Sequence, residues 1–315
     1  MNQSHRSVSF HKHSAAPMIA LTIALTIALR TTLLITLSVS PYGLAASLQV
    51  TDYRGANIRL EKPAQRIIAL APHIVENLFS AGLGDRIVGT VEHSDYPEAA
   101  QALPRIGSAT TYNLEKILAL QPDLVIQWLS GSHITVTQQL ERLKLPVYVD
   151  DPSTENDIMR SVRDFATLGG TTPFAQNAIK QFQHDMKTIP RPEHPRLEVF
   201  YQVWANPLMT VNGNHIISRI LERCGGHNVF AALPARAPIV SLEALIKANP
   251  DVILIEAQAT PSAIQAYPWS HITLLKAVSA QRIVKIDRNI LVRPTFRIAE
   301  GTQRVCTQLR RTALQ

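Results

Sequence analysis

From residue 66 onward, short runs of apolar and β-branched residues alternate with segments whose apolar positions recur every three or four residues. The runs read as strands buried on both faces of a parallel sheet, and the spaced segments as helices packed on it. The pattern predicts strands at 66–70, 86–90, 146–149, 197–203 and 282–286, and helices at 74–81, 134–143, 173–189 and 297–312. Ahead of them, 48–60 alternates around Arg54-Gly55 as a hairpin does. Ala175, Ala178, Ile179, Phe182, Met186 and Ile189 keep helical spacing for nearly five turns until Pro190, Pro192 and Pro195. That helix falls in mid-chain, where a flexible linker would stand if two domains moved far. Gly82-Leu83-Gly84 follows a predicted helix and fits a helix C-cap better than a dinucleotide loop.

One pattern occurs twice. Asn113-Leu-Glu-Lys-Ile-Leu-Ala-Leu-Gln-Pro-Asp-Leu-Val-Ile-Gln-Trp128 returns as Ser241-Leu-Glu-Ala-Leu-Ile-Lys-Ala-Asn-Pro-Asp-Val-Ile-Leu-Ile-Glu256. In each copy Asn113 or Ser241 is an N-cap, Glu115 or Glu243 sits in the first turn where the helix dipole favours negative charge, and Pro122 or Pro250 closes a short helix before a buried strand. Two similar halves follow. The fold class expected is α/β: two Rossmann-like lobes with mainly parallel sheets, 46–172 and 190–315, joined by one long rigid helix, 173–189, with a ligand cleft between the lobes.

Residues 1–45 differ from the rest. They hold Arg6, Lys12 and Arg30, no acidic residue, and two apolar stretches ahead of Gly43-Leu44-Ala45. This is the pattern of a cleaved signal peptide. The alternative is an uncleaved anchor, but Arg30 divides the apolar run into pieces shorter than the roughly 18 residues a spanning helix needs. Cleavage near Ala46 would remove three positive charges and lower the formal net charge from +7 to +4. The remaining chain has no basic run interleaved with aromatics, so nucleic acid is not an expected partner. With 46% hydrophobic and 17% charged residues it is a globular chain long enough for two cores.

The cysteines are Cys224 and Cys306. In an exported chain such a pair is most simply a disulfide, worth about 4 kcal/mol for this loop length in the chain-entropy model; two free thiols are the alternative. Cysteine is absent near residue 45, so a lipid-modified N-terminus is not expected, and a soluble periplasmic monomer is.

Motifs of catalysis are missing: there is no nucleophile elbow, phosphate loop or His-Glu-x-x-His, and the histidines after residue 45 are scattered singly. Catalytic residues, cofactors and a metal site are therefore not expected. Resemblance carries the reading further. Val50-Thr-Asp-Tyr-Arg-Gly, Arg66-Ile-Ile-Ala-Leu, Asp85-Arg-Ile-Val-Gly, Ser94-Asp-Tyr-Pro97, the two Leu-Glu repeats and Cys224-Gly-Gly-His-Asn-Val-Phe230 resemble the helix-linked class of periplasmic binding proteins, and within it the cobalamin-binding branch, over about residues 48–312. The resemblance implies capture of cobalamin or another corrinoid and delivery to an ABC importer, a permease dimer with its ATPase subunits. It places Tyr96 and Trp128 in the cleft wall of the first lobe and Arg293 in that of the second, with Trp204 one position from a family aromatic. Glu115 and Glu243 match the family's exposed carboxylates that dock on the permease, one per lobe. Where cobalamin-binding relatives carry tryptophans, this chain has Ala109 and Ala237. A ferric-siderophore or haem receptor of the same class is the alternative, and an enzyme is the rival from another class.

Overall fold

The structure is a computed structural model and describes residues 48–108, 111–131, 134–257 and 267–315. The expected signal peptide and Ala109 lie outside the described residues. Strands β1 (Leu48–Thr51) and β2 (Asn57–Leu60) form the predicted antiparallel hairpin, with Leu48 opposite Leu60. Asp52 organises its turn by accepting from the backbone of Arg54 and Ala56 at 2.8 and 2.9 Å, and Gly55 takes the positive φ of 84° that the turn requires.

Two four-stranded parallel sheets follow. The first comprises β3 (Ile67–Ala69), β4 (Ile87–Thr90), β5 (Leu124–Trp128) and β6 (Val147–Asp150), in the order β4-β3-β5-β6. The second comprises β7 (Leu197–Gln202), β8 (Gly226–Asn228), β9 (Val252–Ala257) and β10 (Ile283–Asp287), in the order β10-β9-β7-β8. Matching β3–β6 to β7–β10 makes the two orders identical. The sixteen-residue repeat is thus the visible part of a duplication that includes the whole sheet.

Helix α1 (Pro72–Ser80) leaves β3. The repeat helices are α2 (Leu114–Ala119) and α7 (Leu242–Ala248), capped as expected: Asn113 accepts from Lys116 N at 2.8 Å and Ser241 from Ala244 N at 3.1 Å. Between them come α3 (Ile134–Arg142), α4 (Glu155–Gly169), α5 (Thr172–Thr188) and α6 (Ile216–Arg223); α8 (Lys276–Ser279) and α9 (Ile298–Ala313) complete the chain. Helices α4, α6 and α8 and strand β8 go beyond the elements expected from the sequence. Thr154 caps α4 by accepting from Asp157 N at 3.1 Å, and Gly170 ends it with a φ of 69°.

The core explains why the lobes are held together. One continuous apolar cluster runs from Ile67, Ala69 and Tyr148 of the first sheet, through Ala175, Ile179, Phe182 and Met186 of α5, to Val199, Tyr201 and Leu309 of the second lobe. Separate clusters fill the outer faces, around Ile68, Val125 and Val149 in one lobe and Phe200, Ile253 and Trp269 in the other. Helix α5 is therefore a shared wall of both cores. Cys224, at the end of α6, is bonded to Cys306 of α9 with an S–S distance of 2.03 Å and Cα atoms 4.5 Å apart.

Candidate functional site

The two lobes meet through segments that leave the C-terminal ends of strands. From the first lobe these are α1 after β3, residues 93–96 after β4, Ser130 after β5 and Asp151 after β6; from the second, Arg236 after β8 and residues 293–297 after β10. The carboxyl edges of two parallel sheets thus face each other, which is where open α/β folds bind ligands.

Trp128 ends β5 at this edge, half-buried. Its indole N–H donates to Asp151 at 3.0 Å, and the edge of His73 meets its ring at 5.2 Å between centroids and 83° between planes. His73 is backed by Asp150, 3.6 Å away, and Asp150 accepts from Ser161 at 2.5 Å. Gly131 allows the chain to pass close by, since a Cβ there would lie 1.9 Å from the indole. Asp151 also accepts from Ser130 Oγ at 2.8 Å, and Arg236 of the second lobe reaches the same corner, 3.2 Å from Ser130 Oγ and 3.9 Å from Asp151. The tryptophan is fixed on three sides.

The second meeting point centres on Glu76 of α1, whose side chain is only 2% exposed. Arg293 donates to it at 2.9 Å, Thr295 at 2.9 Å, and Arg297 lies 3.6 Å away. Neighbouring Asn77 donates to the carbonyl of Pro294 at 3.1 Å. The Arg293 guanidinium reaches further into the first lobe, to Asp95 at 2.7 Å and the His93 carbonyl at 3.0 Å. Burial pushes the Asp95 carboxyl up, but the hydrogen bond and charge of Arg293 outweigh it and hold the group below its ordinary value. Tyr96 is 45% exposed, with Arg297 stacked 4.0 Å over its ring. A cation on the ring face is an attractive geometry, and it spans the lobes. Phe296 stacks on Phe182 of α5 at 4.6 Å, anchoring the same segment from behind.

The structure therefore brings Tyr96 and Arg293 into one cluster and sets Trp128 at the same sheet edge. Trp204, 45% exposed, follows β7 and donates to the Asn206 carbonyl at 2.9 Å. Beside it a hollow of about 400 Å³ opens between Ala205–Leu208 and Tyr267–Pro268. Exposed Ala237 adjoins Arg236. Glu115 and Glu243 are both exposed in the first turns of α2 and α7. Hydrogen bonds from its own backbone and from Ser241 hold the Glu243 carboxyl below its ordinary range. Among the described residues no group of three or more His, Cys, Asp or Glu side chains could hold a metal, and no helix is long and apolar enough to cross a membrane.

Residues 67–289 match the family model of the periplasmic binding proteins. The chain belongs to that family. Among curated members it is 33% identical to the vitamin B12-binding protein of Vibrio cholerae over 251 residues, covering 79% of this chain and 90% of the relative. It is 30% identical to the vitamin B12-binding protein of Pectobacterium carotovorum over 249 residues, 78% of this chain and 88% of that one. Among solved structures, the periplasmic vitamin B12 binding protein of Vibrio cholerae superposes with a TM-score of 0.72 at 32% identity, covering 80% of this chain and 99% of that one. A periplasmic haem-binding protein from Roseiflexus superposes with a TM-score of 0.71 at 22% identity over 79% and 99% of the two chains, a likeness of fold alone. Within the family's two-lobe frame, the sequence alone gives no role to Glu76, His73 and Arg236, and sets Asp95 aside because it and its neighbours His93 and Ser94 do not converge on a strand or helix. Of these, Asp95 lay inside the quoted Ser94-Asp-Tyr-Pro97 motif, which was a usable signal; the others stand out only once the fold brings distant segments together.

Proposed function

We propose that this chain is a periplasmic receptor that captures cobalamin or a related corrinoid between its lobes and delivers it to the permease of an ABC importer. The observation that carries this reading is the pairing of Tyr96 and Trp128 on one carboxyl edge with Arg293 from the other lobe, in a chain 33% identical to a vitamin B12-binding protein. Planar aromatic faces suit a flat macrocycle, and a guanidinium suits the amide and phosphate oxygens at its rim. Trp204 extends the wall in the second lobe. Exposed Ala237 adds no more than a methyl group beside Arg236. In this reading residues 1–45 are a cleaved export signal, the lobes extend over 46–172 and 190–315 around the helix at 173–189, and the mature protein acts as a monomer without catalytic turnover or a resident cofactor. Glu115 and Glu243 are the docking carboxylates. A helix between parallel strands runs antiparallel to them, so both glutamates sit at the carboxyl edge that also forms the cleft, one per lobe, as a two-fold permease would require.

Isothermal titration of the purified mature protein with cyanocobalamin, haemin and a ferric siderophore tests the proposal. Saturable one-to-one binding of cyanocobalamin, tighter than that of the other two, is expected. Binding of haemin or the siderophore in its place would move the chain to a different branch of the family.

A further inference from the structure

Arg293 is gripped by two carboxylates in opposite surroundings. The Glu76 side chain is 2% exposed and enclosed by Arg293, Thr295 and Arg297, whereas the Asp95 side chain is 52% exposed on the loop that also carries Tyr96. Separating Arg293 from Glu76 would leave a buried carboxylate with only Thr295 and the more distant Arg297, which is strongly unfavourable. Separating it from Asp95 only returns an exposed carboxylate to water, where ion pairs contribute little. The Arg293 side chain is 12% exposed, and the two acids and the His93 carbonyl occupy hydrogen-bonding places its guanidinium offers. A ligand oxygen can reach it only by taking a place now filled, and Asp95 is the partner that yields at least cost.

We propose that Asp95 is a resident counter-ion of Arg293 that an incoming hydrogen-bond-accepting oxygen of the ligand displaces, while Glu76 is a positioning residue that holds the guanidinium toward the cleft before and after the exchange. The inference rests on the reading of this cleft as the corrinoid site and adds what the two acids do there. It gives them opposite effects on affinity. Removing the competitor tightens binding; removing the anchor weakens it.

Cyanocobalamin is titrated calorimetrically into the wild type, Asp95→Asn, Asp95→Ser and Glu76→Gln, with circular dichroism as the check on folding. The Asp95 variants are expected to bind about two- to fivefold tighter, the range matching an exposed ion pair of up to ~1 kcal/mol, and Glu76→Gln about tenfold or more weaker. Dicyanocobinamide, which lacks the nucleotide phosphate, locates the displacing oxygen. A gain with both ligands assigns it to a corrin amide, and a gain with cyanocobalamin alone to the phosphate. If both Asp95 variants fold and bind no tighter than the wild type, the inference is overturned while the corrinoid reading stands. If the wild type does not bind cyanocobalamin, the corrinoid reading falls, and this inference with it. Should Glu76→Gln fail to fold, Glu76→Asp replaces it, and the two Asp95 variants still decide the competition.

Discussion

Trp128 and Glu256 occupy the same place in the two copies of the internal repeat, at the ends of β5 and β9, and their surroundings diverge accordingly. Glu256 is buried and accepts from Tyr201 at 2.6 Å, with Arg288 3.6 Å away; burial pushes its carboxyl up against both partners. Trp128 instead keeps a half-buried ring at the cleft edge, fixed by His73 and Asp151. Replacing Trp128 with Ala should weaken corrinoid binding by about 1–3 kcal/mol through loss of aromatic contact area, measured by titration calorimetry. An unchanged affinity would take Trp128 out of the site. The position of Trp128 was legible because a strand end follows from local pattern. The partners of Arg293 were not, since Glu76 and Asp95 lie 217 and 198 positions away in the sequence and their charges meet only through the packing of two lobes.

At the scale of elements, local chemistry made most boundaries readable: N-cap side chains at Asn113 and Ser241, a proline after each repeat helix, and β-branched runs for the strands. Helix α4 was harder to see because its apolar face, Ile158, Val162, Phe165 and Ala166, begins behind a polar first turn. Helix α6 is only eight residues long, and its Ile216, Ile217, Ile220 and Leu221 read equally as part of a strand. Its cap has a consequence of its own. His215 accepts from Ile217 N through Nδ1 at 3.3 Å, a bond that needs the nitrogen unprotonated, and burial with Arg236 nearby pushes the ring down to about 4 from 6.5. The folded state therefore refuses a proton that the unfolded chain accepts. The stability linked to His215 is complete above pH 6.5 and drains away as the pH falls toward 4, by about 3 kcal/mol in total. Urea unfolding of the wild type and His215→Asn across this window should show their difference changing by that order; a constant difference would contradict the assignment.

For the molecule as a whole, the continuous core through α5, the stacking of Phe296 on Phe182 and the polar cluster around Glu76 all hold the lobes at one relative orientation. Small-angle scattering with and without ligand should therefore give nearly superposable profiles, and a clear fall in radius of gyration would argue for a hinge. Delivery is separable from capture. Replacing Glu115 and Glu243 together with Ala should leave affinity for cyanocobalamin unchanged while reducing its uptake by cells, if the two exposed carboxylates serve docking and the ligand is held by Tyr96, Trp128 and Arg293. Loss of affinity in that variant would mean that the two roles are not divided in this way. The two halves could be read from the sixteen-residue repeat and the helix between them from periodicity, whereas the contacts that set the lobe angle could not, because each joins segments folded in different halves. The central claim, that a corrinoid lies between the facing carboxyl edges, is tested most directly by a crystal structure of the mature protein with cyanocobalamin. The account predicts the corrin ring in contact with Tyr96 and Trp128, with Arg293 bonded to an oxygen at its rim. A macrocycle bound elsewhere, with Trp128 and Arg293 untouched, would contradict it.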